Sequence, residues 1–311
     1  MKLIRTQGRG ACQAEEVLAA LEKRGGAAFE RVLPVVNRIV ANVRRSGDRA
    51  LLRYATQFDA LHRGATLRIT PQEMADAWNA IDPSLREAFK TAAAQIRAFA
   101  KMQLPKSWSK TSTEFLTVGQ IVRSIGAVGC YVPSGRHPLP STLLMTAIPA
   151  QVAGVQRIVV VSPRPAPETL AAAHLLGVTE FYRAGGAHAI AALAYGTPTI
   201  ARVDKIVGPG NLYVTAAKRL VAFDCAIDML AGPTEIVVTS ERGDPTEIAA
   251  DLVAQAEHDP EALGIFITTR LDLARQVIAE ARKQSRGNLV ARTALDRNGV
   301  AIVAVESGSG N

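Results

Sequence analysis

The sequence predicts an α/β protein whose body is mostly parallel sheet covered by helices on both faces, preceded by a helical segment. Two observations carry this. After Thr117, short β-branched runs alternate with helical runs, separated by Gly and Pro turns. Before Leu104, apolar residues recur three and four apart with charges between them, the rhythm of helices that bury one side.

In the N-terminal stretch, Val32, Val36, Ile39, Val40 and Val43 form one apolar stripe. Ser46-Gly47-Asp48 breaks that helix and offers a cap to the next, Ala50 to Phe58. Lys106 to Thr113 is polar and reads as a linker. Beyond it the expected strands are Arg157–Val161, Thr179–Tyr182, Lys205–Val207, Glu235–Thr239 and Gly264–Thr268. The expected helices are Pro167–Leu176, Ala187–Tyr195, Leu212–Val221, Thr246–Glu257 and Leu271–Gln284. Alternation at this spacing describes two Rossmann-like, mostly parallel-sheet subdomains. The expected division is residues 1–113 as a helical segment packing on the α/β body, 114–233 as the first subdomain and 234–311 as the second. Ligands of such sheets sit at the carboxyl ends of the strands.

The bulk properties narrow the function classes. A 311-residue chain that is 48% hydrophobic and 21% charged buries a large core and lies far from the disordered range. The net charge of +8 is spread through helical stretches without a basic run, and only 5% of residues are aromatic, so no nucleic-acid partner is expected. Cys12, Cys130 and Cys225 are an odd number at wide spacing, which excludes a disulfide framework and fits a reducing compartment. The start, MKLIRTQGRG, has no apolar core of the secretion-signal kind, and Thr142 to Val155 is too short to cross a bilayer. The expectation is a cytoplasmic protein without membrane contact.

Several segments carry groups suited to chemistry. Asp251, Gln255 and His258 are spaced four and three apart, which on a continuous helix puts them on one face. An amide oxygen and an imidazole suit zinc; a histidine near a helix C-terminus is equally a stabiliser of the last carbonyls. Arg183-Ala184-Gly185-Gly186-Ala187-His188 and Val207-Gly208-Pro209-Gly210-Asn211 each lie between a strand and a helix. Glycine lets a ligand approach the backbone, and a helix start offers free N–H groups to phosphates, although such turns are also ordinary βα connections. The chain contains no G-x-G-x-x-G fingerprint. Gly129 to Gly135 reads as a rigid turn in which Tyr131 stacks on a ligand ring or fills the core, leading to a helix over Leu143–Val152. Ala231-Gly232-Pro233-Thr234-Glu235 places a hydroxyl at the mouth of a strand, where it stabilises the turn or touches substrate. His62 and His174 have no partner spacing, His137 follows Arg136 in a Pro-rich loop, and Cys130 has no base nearby in sequence.

Taken in order, these segments resemble histidinol dehydrogenases from roughly Arg31 to Val303. The resemblance rests on Gly129-Cys-Tyr-Val-Pro-Ser-Gly135, Pro140-Ser-Thr-Leu-Leu-Met145, Gly185-Gly-Ala-His-Ala-Ile-Ala-Ala-Leu193, Val203-Asp-Lys-Ile-Val-Gly-Pro-Gly-Asn211, Ile227-Asp-Met-Leu-Ala-Gly-Pro-Thr-Glu235 and Gln255-Ala-Glu-His258. It implies oxidation of L-histidinol to L-histidine in two steps through the aldehyde, with NAD as hydride acceptor and zinc as metal, in a homodimer. Gln255 and His258 match zinc ligands that also touch substrate, and Thr234 matches a substrate contact where the family more often has serine. Tyr131 and Asn211 match NAD contacts; His188 stands at a further one, where glutamine is usual. Asp259 replaces a common glycine after His258. The family takes its catalytic Glu-His pair, a further zinc-ligand Asp and a His reaching across the dimer from beyond the position where this chain ends. No catalytic base is therefore expected among these residues, and the chain reads as C-terminally truncated. Oxidation of another polar alcohol, or a non-catalytic binding role, stays open at this stage.

Overall fold

Ala127–Tyr131 is buried at every position and forms β5, the strand around which the larger of two compact units is built. The structure, a computed structural model, describes residues 1–7, 11–22, 26–62, 64–134, 138–230 and 235–304. One unit comprises Ala28–Leu230, and the other Met1–Ala27 with Ala231–Asn311. Residues of the expected N-terminal helical segment thus belong to both.

In the larger unit, β5 lies between β6 (Arg157–Val161) and β8 (Lys205–Val207). The sheet order is β2-β7-β6-β5-β8-β9, with β7 spanning Glu180–Tyr182, β9 Ala226–Ile227 and β2 Arg68–Ile69. Every pairing is parallel except that of β2 on β7. Side chains alternate across a strand, so Ala127 and Tyr131 join one core while Val128 and Cys130 join the other. The first core is closed by α2 (Gly26–Ser46), α3 (Asp48–Phe58), α8 (Gly186–Tyr195) and α9 (Leu212–Val221). The second is closed by α4 (Pro71–Ala80), α5 (Pro83–Met102), α6 (Pro140–Val152) and α7 (Pro167–Leu175). Fully buried Phe181, Leu143, Ile148 and Leu193 each contribute about 1.5–3 kcal/mol of burial.

Local chemistry sets the boundaries. The break between α2 and α3 falls at Gly47, at φ +51, and α3 begins without a side-chain cap, so Ser46-Gly47-Asp48 acts through glycine's left-handed backbone. In α4, Thr70 and Glu73 form a capping box with Pro71 in the first turn. The expected linker Lys106–Thr113 is instead mostly strand: β3 (Trp108–Thr113) pairs antiparallel with β4 (Leu116–Gln120), Thr111 Oγ1 lying 3.1 Å from Thr117 Oγ1. Its polar, threonine-rich composition conceals strand because threonine fits a pleated ribbon with both faces in water. Gly129 to Tyr131 likewise belongs to β5 instead of a turn.

The smaller unit is a four-stranded all-parallel sheet in the order β1-β12-β11-β10. It comprises β10 (Glu235–Thr239), β11 (Leu263–Thr268), β12 (Val300–Val303) and, from the N-terminus, β1 (Lys2–Arg5). Helices α10 (Pro245–Ala256), α11 (Leu271–Gln284) and α12 (Leu289–Arg297) enclose a core with Phe266, Leu252 and Val277. On a separate small core, Ala14 of α1 (Ala11–Glu22) packs with Ile4 and Val300. Among the described residues no helix is long and apolar enough to cross a membrane.

Candidate functional site

The strand order reverses at β5. From β5 the chain moves outward through β6 to β7, then returns to place β8 on the other side of β5. A crevice opens at such a reversal, at the carboxyl ends of the strands, because the flanking connections run to opposite faces. Register pairs Gly129 with Ile206 and Cys130 with Val207, so Tyr131 and Gly208 are the residues that reach the reversal point from either side.

Gly208 has φ +111, and a Cβ there would lie 2.2 Å from the Tyr131 carbonyl oxygen. Only glycine allows this approach. The turn continues to Asn211, whose Oδ1 accepts from the amides of Tyr213 and Val214 and so caps α9. Asn211 is exposed, and its amide nitrogen makes no hydrogen bond to the described residues. Beneath the turn, Lys218 of α9 donates from Nζ to the Gly208 carbonyl at 2.5 Å and to Asp228 Oδ1 at 2.6 Å. Asp228 Oδ2 accepts the Gly208 amide at 2.8 Å.

Tyr131 is 3% exposed, and its hydroxyl accepts from the Gly186 amide at 3.2 Å, joining β5 to the start of α8. Burial pushes its phenol up to about 12, so the hydroxyl keeps its proton at neutral pH. His188 is 1% exposed, one turn into α8. Its Nε2 lies 2.7 Å from Asp59 Oδ2, which also accepts the Gly185 amide at 2.8 Å. The rings of Tyr54 and Phe58 lie 5.8 and 6.2 Å from the imidazole. His188 therefore faces a buried carboxylate and two aromatic rings, and Asn211 alone of the expected cofactor contacts is exposed. The expectation of free N–H groups at these helix starts is corrected in part: Asp59, the Tyr131 hydroxyl and Asn211 already accept four of the amides.

Asp59 also lines a cleft of about 550 Å³ with His62, Glu73, Arg164 and Arg183. Cys130 is fully buried and its thiol is pushed up to about 12 by burial, which leaves no thiolate for nucleophilic chemistry. His137 and Thr234 lie outside the described residues.

Gln255 and His258 lie in the smaller unit. Gln255 occupies the last turn of α10, half-buried, with its Nε2 buried and without a hydrogen-bond partner among the described residues. His258 follows the C-cap residue Glu257, is exposed, and donates its backbone amide to the Gln255 carbonyl at 3.4 Å. Asp251 and Gln255 thus lie on α10, which ends at Ala256, while His258 stands just beyond its C-cap. Among the described residues, no group of three or more His, Cys, Asp or Glu side chains is arranged to hold a metal ion. The amide and imidazole have the right donor chemistry for zinc, but two donors do not close a coordination shell that needs four ligands.

Asp59, Lys218 and Asp228 were not singled out from the sequence. A signal for Lys218 was present: it stands on the apolar side of α9, between Val214 and Val221, where a lysine needs a buried partner.

Comparison with known proteins matches the family model described as histidinol dehydrogenase over residues 22–309. The chain is 44% identical to the histidinol dehydrogenase of Syntrophotalea carbinolica, 48% to that of Geobacillus kaustophilus and 47% to that of Thermosynechococcus vestitus. These alignments cover 92%, 84% and 80% of this chain, and 69%, 65% and 59% of the respective relatives. The crystal structure of histidinol dehydrogenase from Elizabethkingia anophelis superposes with a TM-score of 0.84 at 30% identity, covering 97% of this chain and 70% of that one. A family model spanning most of the chain, several relatives above 40% identity and a shared fold lead to one conclusion: the chain belongs to the histidinol dehydrogenase family.

Proposed function

We propose that this chain contributes to the NAD-dependent oxidation of L-histidinol to L-histidine, through the aldehyde, in cytoplasmic histidine biosynthesis. The observation that carries the proposal is the reversal of strand order beside β5. It sets Tyr131 and the Gly208–Asn211 turn side by side at the carboxyl ends of β5 and β8, where ligands of such sheets bind, in a chain related at this level to histidinol dehydrogenases.

When bound, NAD supplies the acceptor for hydride. The chain's own residues bind and orient it: Asn211 offers its free amide nitrogen, Tyr131 keeps a protonated hydroxyl against the start of α8, and Gly208 keeps the β8–α9 turn close to β5. His188 serves this region from behind, through Asp59. Gln255 and His258, in the smaller unit, would hold zinc and touch the substrate's polar groups, and Thr234 would supply a hydroxyl to the substrate. The Gln255 Nε2, buried and without a partner among the described residues, supports a contact to an acceptor on the substrate, since a buried donor left unpaired is costly unless a ligand satisfies it; zinc would take the amide oxygen. Two donors do not hold zinc by themselves, so no step is assigned to the metal and no residue of this chain is assigned as the base. The resemblance places the remaining groups in family sequence that these 311 residues do not include, and the family form is a homodimer.

Calorimetric titration of the purified chain with NAD tests this reading. Saturable binding is expected, weakened at least about tenfold by Asn211→Ala. A chain that is folded yet shows no NAD binding would sink the proposal.

A further inference from the structure

We infer that Lys218 and Asp228 are positioning residues that hold the Gly208 peptide in the conformation a bound dinucleotide requires, and that tie this turn to the residues leading out of β9. The inference rests on the cofactor reading of the β5–β8 crevice and adds the machinery beneath it.

The pair holds both polar backbone groups of a single glycine. Lys218 Nζ donates to the Gly208 carbonyl at 2.5 Å, and Asp228 Oδ2 accepts the Gly208 amide at 2.8 Å. The ion pair itself closes the ring at 2.6 Å. Gly208 stands at φ +111 and packs against the Tyr131 carbonyl, so a rotation of this peptide changes both that approach and the direction of the chain toward Asn211.

Burial makes an incidental role for the lysine unfavourable. The Lys218 side chain is 2% exposed, and its neighbours on the same side of α9, Val214 and Val221, are fully buried. An apolar residue would fill that position without the desolvation cost of an ammonium group. What the ammonium adds is a directed donor to one carbonyl, fixed by a carboxylate that holds the same residue's amide. Such a clamp preorganises a backbone turn that otherwise relaxes.

Asp228 extends the effect along the chain. Its Oδ1 also accepts the Met229 amide at 2.7 Å, at the exit of β9. Met229 and Leu230 are the last residues of the larger unit. Through Asp228 the Gly208 peptide and the Met229 amide share one carboxylate, so a change at one bears on the other.

The test uses the 311-residue chain and the double variant Lys218→Met with Asp228→Asn, which removes both charges together and leaves no unpaired ion. Thermal unfolding followed by circular dichroism establishes that the variant is folded, and calorimetry gives its NAD affinity. The expected result is a cooperative transition with a Kd for NAD raised about tenfold or more. A lowered melting temperature with the Kd unchanged, the behaviour of a purely structural pair, overturns the inference. Should the variant not fold, hydrogen exchange on the unsubstituted chain decides. NAD is expected to slow exchange at the Gly208 and Met229 amides together, and unaltered exchange at both with NAD bound overturns the inference. Failure of the unsubstituted chain to bind NAD removes the cofactor reading and this inference with it, an outcome distinct from normal binding by the variant.

Discussion

Asp59 Oδ2 lies 2.7 Å from His188 Nε2, and both residues are buried, at 6% and 1% exposure. The same oxygen accepts the Gly185 amide, so one carboxylate joins the end of α3 to the first turn of α8. The imidazole satisfies a buried acid, and the acid in turn holds the glycine turn.

Removing the acid is expected to cost more than changing the base. Asp59→Ala leaves both the Gly185 amide and the His188 ring without an acceptor and should destabilise by about 3 kcal/mol. His188→Gln keeps an amide N–H to donate and should cost about 1 kcal/mol. Urea unfolding of the two variants measures this; equal losses would mean that Asp59 is not the centre of the network.

Gly208→Ala sets a Cβ 2.2 Å from the Tyr131 carbonyl and demands a backbone conformation closed to alanine. A loss of more than about 3 kcal/mol, or failure to fold, is expected. Gly177→Ala is the control: its φ is +65 but nothing lies within 4 Å, so only the backbone strain of about 1 kcal/mol remains. Thermal midpoints of the two proteins should differ widely, and similar values would contradict the packing described.

Gln255 carries the opposite expectation. Its buried Nε2 has no partner among the described residues, so Gln255→Met in the presence of chelator should leave stability unchanged or raise it by about 1 kcal/mol. A loss greater than about 2 kcal/mol in urea unfolding would show that the amide is satisfied without a ligand. Added zinc should stabilise the unsubstituted chain more than this variant.

Glu73 provides a pH signature. Its carboxylate accepts the Thr70 amide at 2.8 Å and pairs with Arg183, and these hold it below the usual carboxylate range, the Thr70 amide first. A depressed folded value means that the stabilisation is complete above the unfolded value of about 4.3 and is lost as pH falls through the lower folded value. The side chain is 42% exposed, so the effect is at most about 1 kcal/mol. The stability difference between the chain and Glu73→Gln should be present at pH 7 and vanish toward pH 3. A difference that persists there would assign it to packing instead of charge.

Much of the architecture is legible from local pattern. Arg157–Val161, Lys205–Val207 and Glu235–Thr239 are strands, and Leu212–Val221 and Leu271–Gln284 helices, with the bounds the sequence predicts. Their apolar periods match the burial they receive. Lys2–Arg5 and Val300–Val303 escaped because two four-residue runs show no period of their own: the first becomes a strand by pairing with the second across nearly the whole chain, and the second by lying between it and β11. Spacing alone does not mark that α10 ends at Ala256, two residues before His258.

By itself the sequence determined the α/β class, the place of most elements and the family, because β-branched runs, helical stripes and ordered glycine motifs are local properties of the chain. Tertiary structure alone decided that Tyr131 and Gly208 meet where the strand order reverses, that His188 faces Asp59, and that Lys218 and Asp228 hold one peptide between them. Each of these pairings joins residues from different elements, and the hydrogen bonds that define them exist only once the sheet has brought those elements together.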